Sequence, residues 1–229
     1  MRELLSIAIL PILLTFGMYQ IGLLVQKKLK TAIANPVLIS VILVLGFMAL
    51  TGMENGEYQA GMAKFSWLMT PATVCLAIPM YQHLQTLRRN LSAIVTGIAV
   101  GAVSCLLMVA LWAFAFRIDT RLALSLLPKS VTTAIGVPLS QMVGGLESVT
   151  TAVIILTGIL ANILGTALCK LFRLTDPIAQ GVALGTSGHV IGTSRANEMG
   201  ELTGAVSSLS LVTAGLLTAV VFPLAAALF

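Results

Sequence analysis

Charged residues are scarce in this sequence. The 229 residues include 13 Lys and Arg and eight Asp and Glu, and only 9% of the chain is charged. Soluble domains carry about 25% charged residues. With 58% hydrophobic residues and a mean hydropathy of +1.02, a soluble fold of this length could not bury its apolar surface. The sequence therefore predicts an all-α polytopic membrane protein.

Motifs of enzyme chemistry are also missing. The sequence contains no GxSxG, HExxH or P-loop motif, and no paired carboxylates lie in its apolar runs. We therefore expect no enzyme activity, no cofactor and no ATP-driven pump. The three cysteines, Cys75, Cys105 and Cys169, lack CxxC spacing, so neither a disulfide framework nor a metal site is indicated. The net charge of +5 does not indicate nucleic-acid binding, because the basic residues cluster at the ends of apolar runs as membrane anchors do.

Apolar runs divide the chain into about six to eight helical segments, since a spanning helix needs about 20 apolar residues. We expect one transmembrane domain over residues 1–229, embedded in a lipid bilayer. The first run is too long for a signal-peptide core and is followed by Lys27, Lys28 and Lys30, which places the N-terminus outside. Glu54–Lys64 reads as a polar outer loop. The predicted segments outside the two polar stretches are about Leu4–Val25, Pro36–Met53, Phe65–Leu84, Leu91–Phe116, Val149–Leu171 and Gly204–Phe229, and two prolines interrupt the third of them.

The stretch Asp176–Gly200 is polar and glycine-rich between two apolar runs. It contains hydroxyl residues, His189, Arg195 and Glu198. Irregular backbone at membrane depth is tolerated only where protein covers it or where it lines a wet cavity. Ionisable side chains there are costly and indicate function. We therefore predict a broken or re-entrant segment that forms half of a substrate site.

A second polar stretch, Leu127–Gly145, supplies the other half of the predicted site. Pro128, Gly136 and Pro138 interrupt it. If the segment from residue 122 to residue 145 crossed the membrane, Lys170 and Arg173 would fall outside, against the positive-inside rule. A re-entrant segment places them inside, and we favour that interpretation.

The hydropathy pattern also suggests an internal repeat. In each half, a smooth helix is followed by a broken segment and then by another smooth helix, which pairs segments two to four with the last three. Inverted repeats whose discontinuous helices meet near the midplane are typical of secondary transporters. Residue identity between the halves is poor, so the repeat remains a hypothesis.

Lys129 opens the first group of candidate substrate-binding residues. A proline followed by a hydroxyl-rich turn exposes backbone N–H groups at a new helix start, which attracts anions, and Lys129 adds a full positive charge. The alternative is that Lys129 extends to the membrane interface and the hydroxyls bond to their own helix. The other members of this group are Ser130, Thr132 and Thr133.

Arg195 and His189 belong to the second group. Arginine binds a carboxylate through two hydrogen bonds. Histidine titrates near neutral pH, so His189, with Glu198, could couple transport to a proton. In the alternative, His189 is a hydrogen-bonded core residue and Arg195 pairs with Glu198. The remaining candidates are Thr186, Ser187, Gly192 and Thr193.

At these same residues the sequence resembles the LrgB/CidB/YohK family. The resemblance rests on PKSVTT (Pro128–Thr133), the pair Gly144–Gly145, TGILANILGTAL (Thr157–Leu168) and GVALGTSGHVIGTSRANEMGELTGAVSSLS (Gly181–Ser210). It covers essentially the whole chain and is strongest from residue 127 onward. One departure is Ala134-Ile135-Gly136, where many members have a proline and a more polar continuation.

The resemblance implies two alternative functions. One is a holin- or antiholin-like regulator of murein hydrolase export and cell lysis. The other is transport of small monocarboxylates, because a related plant protein is a plastid glycolate/glycerate translocator. A small LrgA-like membrane protein is the implied partner, and a homodimer stays open. A pore of self-associating helices needs no Lys, Arg and His in glycine-rich breaks, whereas a carboxylate carrier does. We therefore favour a proton-coupled secondary transporter, and a channel is the remaining alternative.

Overall fold

The computed structural model describes residues 2–29, 35–68, 71 and 74–229, and this part of the chain consists of helices joined by turns and loops, without strands. Four helices among these residues are long and apolar enough to cross a membrane: Ile9–Leu29, Leu91–Ala115, Glu147–Leu171 and Glu201–Ala226. The prediction of an all-α polytopic membrane protein is confirmed. The described helices are α1 (Arg2–Leu29), α2 (Pro36–Thr51), α3 (Asn55–Ser66), α4 (Ala77–Gln82), α5 (Leu84–Arg89), α6 (Leu91–Ala115), α7 (Thr120–Leu126), α8 (Thr133–Met142), α9 (Glu147–Leu171), α10 (Pro177–Met199) and α11 (Glu201–Ala226).

The chain forms two compact units, Met1–Cys75 and Leu76–Phe229. In the first unit, Asn35 caps α2 by accepting hydrogen bonds from the amides of Val37 (2.8 Å) and Leu38 (3.1 Å). Pro36 occupies the first turn of α2, where its missing N–H costs nothing. The α2 helix ends at Gly52, whose φ of 71° is left-handed. Capping by Asn35 and the left-handed backbone of Gly52 therefore set the two ends of this helix.

The prediction of a polar loop over Glu54–Lys64 is wrong, because the helix α3 begins at Asn55. Its stabilisation comes from α1. The hydroxyls of Thr15 and Tyr58 are 2.6 Å apart, and Thr15 also donates to the sulfur of Met62 at 3.8 Å. Tyr58 and Met62 lie four residues apart and so share one helix face. Packing on α1 thus makes a helix of a segment that reads as a loop by polarity alone.

In the second unit, α6 and α11 run in the same direction. Ile94, Ile98 and Ala102 of α6 pack in one cluster with Val206 and Ala214 of α11. Further along both helices, a second cluster joins Leu106, Val109 and Ala110 to Phe222, and it includes Leu124 and Leu127. The predicted spanning segments Leu91–Phe116, Val149–Leu171 and Gly204–Phe229 match α6, α9 and α11 within a few residues.

The segment from α7 to α8 is re-entrant, as predicted for residues 122–145. Its two ends lie side by side, since the amide of Leu146 donates to Ser125 Oγ at 2.6 Å and Arg121 Nε donates to the Gly144 carbonyl at 3.4 Å. A helix that crossed the membrane would hold these residues far apart. We call this segment, Thr120–Met142, hairpin 1. Its tip is the turn 127–132.

The α10 helix is a second hairpin. His189 has φ 42° and ψ −138°, which breaks the helix. A Cβ on Gly192 would stand 2.6 Å from the Leu184 carbonyl oxygen, whereas residues eight apart in a straight helix are about 12 Å apart. Gly181 abuts Thr203, and Thr193 bonds Ser207, so both halves lie along the start of α11. The broken segment predicted at Asp176–Gly200 is therefore re-entrant, and we call α10 hairpin 2.

The hairpins enter the second unit from opposite ends. Gly97 and Gly101 of α6 lie against Val182 and Thr186 of hairpin 2, so these segments run in the same direction. The α9 helix runs against them, because its Gly165 meets Leu184 while its earlier residue Gly158 meets the later residue His189. The start of α6, the end of α9 and the base of hairpin 2 thus share one end, which we call the basic end. Hairpin 1 enters from the other end, beside the start of α9.

This opposed arrangement differs from the repeat that the hydropathy pattern suggested. That repeat pairs the broken segment Phe65–Leu84 with hairpin 2, and residues 69, 70, 72 and 73 lie outside the described residues. It therefore stays a prediction. The inverted pair within the second unit is instead hairpin 1 and hairpin 2, with α9 between them in the chain.

Candidate functional site

The tip of hairpin 1 carries Lys129 next to the start of α8. The Lys129 side chain is half-buried and contacts Ser130 Oγ at 3.3 Å. Thr132 caps α8 with extended backbone but makes no side-chain capping bond. Its carbonyl accepts from Ile135 and Gly136, which leaves the amides of Thr133 and Ala134 without an intrahelical acceptor. A full positive charge and two N–H groups are therefore available at this tip.

The tip of hairpin 2 is built around His189. Its ring is buried, and Nε2 lies 2.9 Å from the Ile154 carbonyl of α9. Asn162 of α9 donates to the Ile191 carbonyl at 3.0 Å. Gly158 makes room for the ring, since a Cβ at this position would stand 2.6 Å from His189 Cε1. His189 thus lies in the environment that the core-residue alternative describes, held by hydrogen bonds to the neighbouring helix.

Ile154 links the two tips. A Cβ on Gly136 of α8 would stand 2.6 Å from the Ile154 side chain, and the Ile154 carbonyl bonds the His189 ring. The first half of hairpin 2, Pro177–Gly188, is about 17 Å long at 1.5 Å per residue, which is close to half the ~30 Å apolar core of a bilayer. The two broken segments therefore meet at one turn of α9, about half the thickness of an apolar bilayer core from the base of hairpin 2.

Three hydroxyls of hairpin 2 are engaged within the protein. Thr186 donates to Val182 at 2.7 Å, and Ser187 donates to Ala183 at 2.6 Å. Thr193 is bonded to the His189 carbonyl at 2.8 Å and lies 2.9 Å from Ser207 Oγ. A hydroxyl has one proton to donate. Thr186 and Ser187 must therefore release their own helix before they can donate to a carboxylate.

Arg195 does not reach the tips. It lies about two turns beyond the break, toward the basic end. Its Nε donates to Thr166 Oγ1 of α9 at 2.9 Å, and Nη1 lies 2.5 Å from Glu198 Oε2. The structure therefore places Lys129 and Arg195 at different depths of the second unit. The pairing of Arg195 with Glu198, which the sequence left as an alternative, is present.

Several positioning residues were not among the candidates that the sequence indicated. Thr150 is fully buried, and its Oγ1 lies within hydrogen-bond distance of Ser140 Oγ (2.7 Å) and of the Ser125 carbonyl oxygen (3.1 Å). This cluster ties both arms of hairpin 1 to α9. Asn162 and Ser207 support hairpin 2 in the same way. Buried hydroxyls spaced along α9 and α11 were the available signal, but sequence alone does not show which helix they face.

Across the described residues, no group of three His, Cys, Asp or Glu side chains could hold a metal ion. The chemistry that this arrangement offers is anion binding by Lys129 and the amides at the start of α8.

Comparison with known proteins gives one decisive result. The model of the LrgB-like family matches residues 15–228. The chain belongs to the LrgB-like family. No solved structure matches this LrgB-like protein. The family match includes both hairpins, so the two tips lie within the LrgB-like region.

Proposed function

We propose that this LrgB-like protein is a secondary transporter of small monocarboxylates, of the glycolate, glycerate, lactate and pyruvate class, coupled to protons. It is proposed as a carrier and not as an enzyme. The supporting observation is the pair of re-entrant hairpins that enter from opposite ends and meet at Ile154. Discontinuous helices that meet near the midplane form the substrate sites of many secondary transporters.

In this proposal the carboxylate binds at the tip of hairpin 1. Lys129 supplies the positive charge, and the amides of Thr133 and Ala134 add the partial positive charge of a helix start. The side chains of Ser130, Thr132 and Thr133 lie next to these groups and would hold hydroxyl or keto oxygens of the substrate. One lysine at the tip balances one carboxylate, which favours monocarboxylates over dicarboxylates.

His189 is the proposed proton-coupling residue. Its ring lies where both hairpins contact Ile154, and one ring nitrogen is within hydrogen-bond distance of the Ile154 carbonyl. Protonation would change the hydrogen bonds of the ring at this contact, which gives a physical route from a proton to hairpin movement. Arg195, which is paired with Glu198, would bind a carboxylate that moves between the tips and the basic end.

Orientation follows from charge. The basic end carries Arg88 and Arg89 before α6, and Lys170 and Arg173 at the end of α9. By the positive-inside rule, we place this end on the cytoplasmic side of a bacterial inner membrane. In this orientation the N-terminus lies outside. A small LrgA-like membrane protein is the proposed partner, and assembly as a homodimer is part of the proposal.

The test is uptake of labelled glycolate and pyruvate into liposomes that contain the purified protein, with and without an inward proton gradient. We expect saturable uptake that the gradient accelerates. Lys129→Gln should reduce uptake roughly 10- to 100-fold, as the loss of a hydrogen bond to a charged group predicts. The matched control is Lys170→Gln, which removes the same charge from an exposed position at the end of α9 and should leave uptake unchanged.

Other outcomes decide between the alternatives. Uptake that rises linearly with substrate would indicate a channel. Uptake only in the presence of an LrgA-like partner would make that partner part of the transporter. If neither preparation takes up either substrate, transport is the wrong function, and a regulator of murein hydrolase export and cell lysis takes its place.

A further inference from the structure

The helical stretch before α6 presents one polar face at the basic end. The α4 and α5 helices nearly continue into α6, since His83 bonds Pro79, Leu87 bonds His83 and Asn90 bonds Thr86 along the backbone. Residues three and four apart share a face of such a helix. The side chains of this face surround an open cavity of about 540 Å³, which is lined by Tyr81, Gln82, Leu84, Gln85, Arg88 and Arg89.

The polar lining of this cavity favours an anion. Arg88 and Arg89 bring two positive charges, while Gln82 and Gln85 add amide donors. Among the described residues, no carboxylate lines the cavity. The neighbouring acidic residue Glu201 faces His83, at 3.9 Å. Arginine guanidinium groups match the geometry of phosphate oxygens.

The position of the cavity favours a lipid over a small soluble anion. The apolar span of α6 begins at Leu91, directly after the two arginines. Tyr81 is 79% exposed, and Leu84 is 38% exposed on the same face. Tyrosine is typical of the membrane interface, where its ring meets acyl chains and its hydroxyl meets water. Apolar and cationic groups on one face suit a molecule that has both parts.

We propose that this face is a binding site for the phosphate head group of an anionic membrane lipid. Arg88 and Arg89 bind the phosphate, the two glutamines contact the glycerol or head-group oxygens, and Leu84 and Tyr81 contact the upper acyl chain. Basic pockets beside membrane helices are a general mode of head-group recognition. The site is separate from the hairpin tips and does not depend on the transport proposal.

The experiment is native mass spectrometry of the full chain in neutral detergent, titrated with phosphatidylglycerol, with phosphatidylcholine of the same chain length, and with inorganic phosphate. Wild type should retain phosphatidylglycerol in preference to phosphatidylcholine. The pair Arg88→Gln/Arg89→Gln should weaken this binding about 30-fold, at about fivefold for each arginine near an anionic surface. The control pair Lys170→Gln/Arg173→Gln removes the same charge from the same end and should change binding less than twofold.

Three results would overturn the proposal. Equal retention of the two lipids would show that the head-group charge is not recognised. Equal losses in both charge pairs would reduce the effect to overall charge. Displacement of the lipid by millimolar inorganic phosphate would identify a site for a soluble anion. Single variants Arg88→Gln and Arg89→Gln, each with an expected fivefold loss, keep the test valid if the double variant does not fold.

Discussion

Gly158→Ala tests the packing that holds the tip of hairpin 2. The new methyl group would stand 2.6 Å from His189 Cε1, 2.8 Å from His189 Nε2 and 2.9 Å from Ile191 Cδ1. The His189 ring is buried and hydrogen-bonded to the Ile154 carbonyl, so it cannot swing into solvent. Either the ring loses its hydrogen bond or the whole tip moves away from α9.

The expected cost can be estimated from three terms. Inserting a methyl group into a packed interior costs about 1–3 kcal/mol. Leaving a buried ring nitrogen without its partner costs about 1–3 kcal/mol. Replacing a helical glycine with alanine returns about 0.5–1 kcal/mol. We therefore expect Gly158→Ala to lower the free energy of unfolding by about 1–5 kcal/mol.

The assay is equilibrium unfolding in detergent micelles, followed by far-ultraviolet circular dichroism. The control is Gly46→Ala in α2, where nothing lies within 4 Å of the new methyl group and where we expect a small gain in stability. A double-mutant cycle with His189→Gly isolates the clash, because Gly158→Ala should cost much less once the ring is gone. Equal costs for the two glycine variants, or strict additivity in the cycle, would refute the packing described here.

Three further stability predictions use the same unfolding assay. His189→Gly should be more stable than His189→Ala by about 1–2 kcal/mol, because glycine accepts the strained backbone of this position. The reverse order would contradict a helix break at residue 189. Thr150→Val should lower the free energy of unfolding by about 1–3 kcal/mol, because it removes the donor to the hydroxyl cluster. Thr151→Val lies outside that cluster and should lower it by less than half as much. Equal losses in the two variants would argue against the hairpin 1 contacts. Asn162→Leu should cost about 1–3 kcal/mol by leaving the Ile191 carbonyl without its amide donor, and an unchanged stability would exclude that contact.

The sequence predicted the long helices well, because their apolar runs are the dominant physical signal in a membrane protein. The broken character of Asp176–Gly200 was also predictable, since glycines, hydroxyls and charges are costly against lipid. The position of the break was less accessible. His189 adopts a positive φ, and the surrounding glycines instead serve close packing, as Gly181 does against Thr203 and Val206.

Pairings across the fold were beyond the sequence. Arg195 and Lys129 are both cations in polar breaks, so the sequence grouped them in one site. The helical rise places Arg195 about two turns from the tip of hairpin 2, where Thr166 and Glu198 hold it. Thr166 lies in an apolar helix, and nothing in the sequence links it to Arg195. Only the antiparallel packing of α9 on hairpin 2 brings it to the guanidinium.

The separation of Lys129 and Arg195 bears on how the proposed carrier would work. Hairpin 1 enters the second unit from one end and hairpin 2 enters it from the basic end. Both end at the turn of α9 that contains Ile154. Within this unit, one turn of α9 separates the two tips, because Gly136 lies against the Ile154 side chain and His189 against the Ile154 carbonyl. In the proposed carrier, a carboxylate that leaves Lys129 for the basic end would pass this turn and then meet Arg195, which is paired with Glu198. His189 lies at this turn, so a displacement of its ring would alter the contact of hairpin 2 with α9. The proposal therefore predicts alternating access by a movement of one hairpin, with α6, α9 and α11 largely fixed.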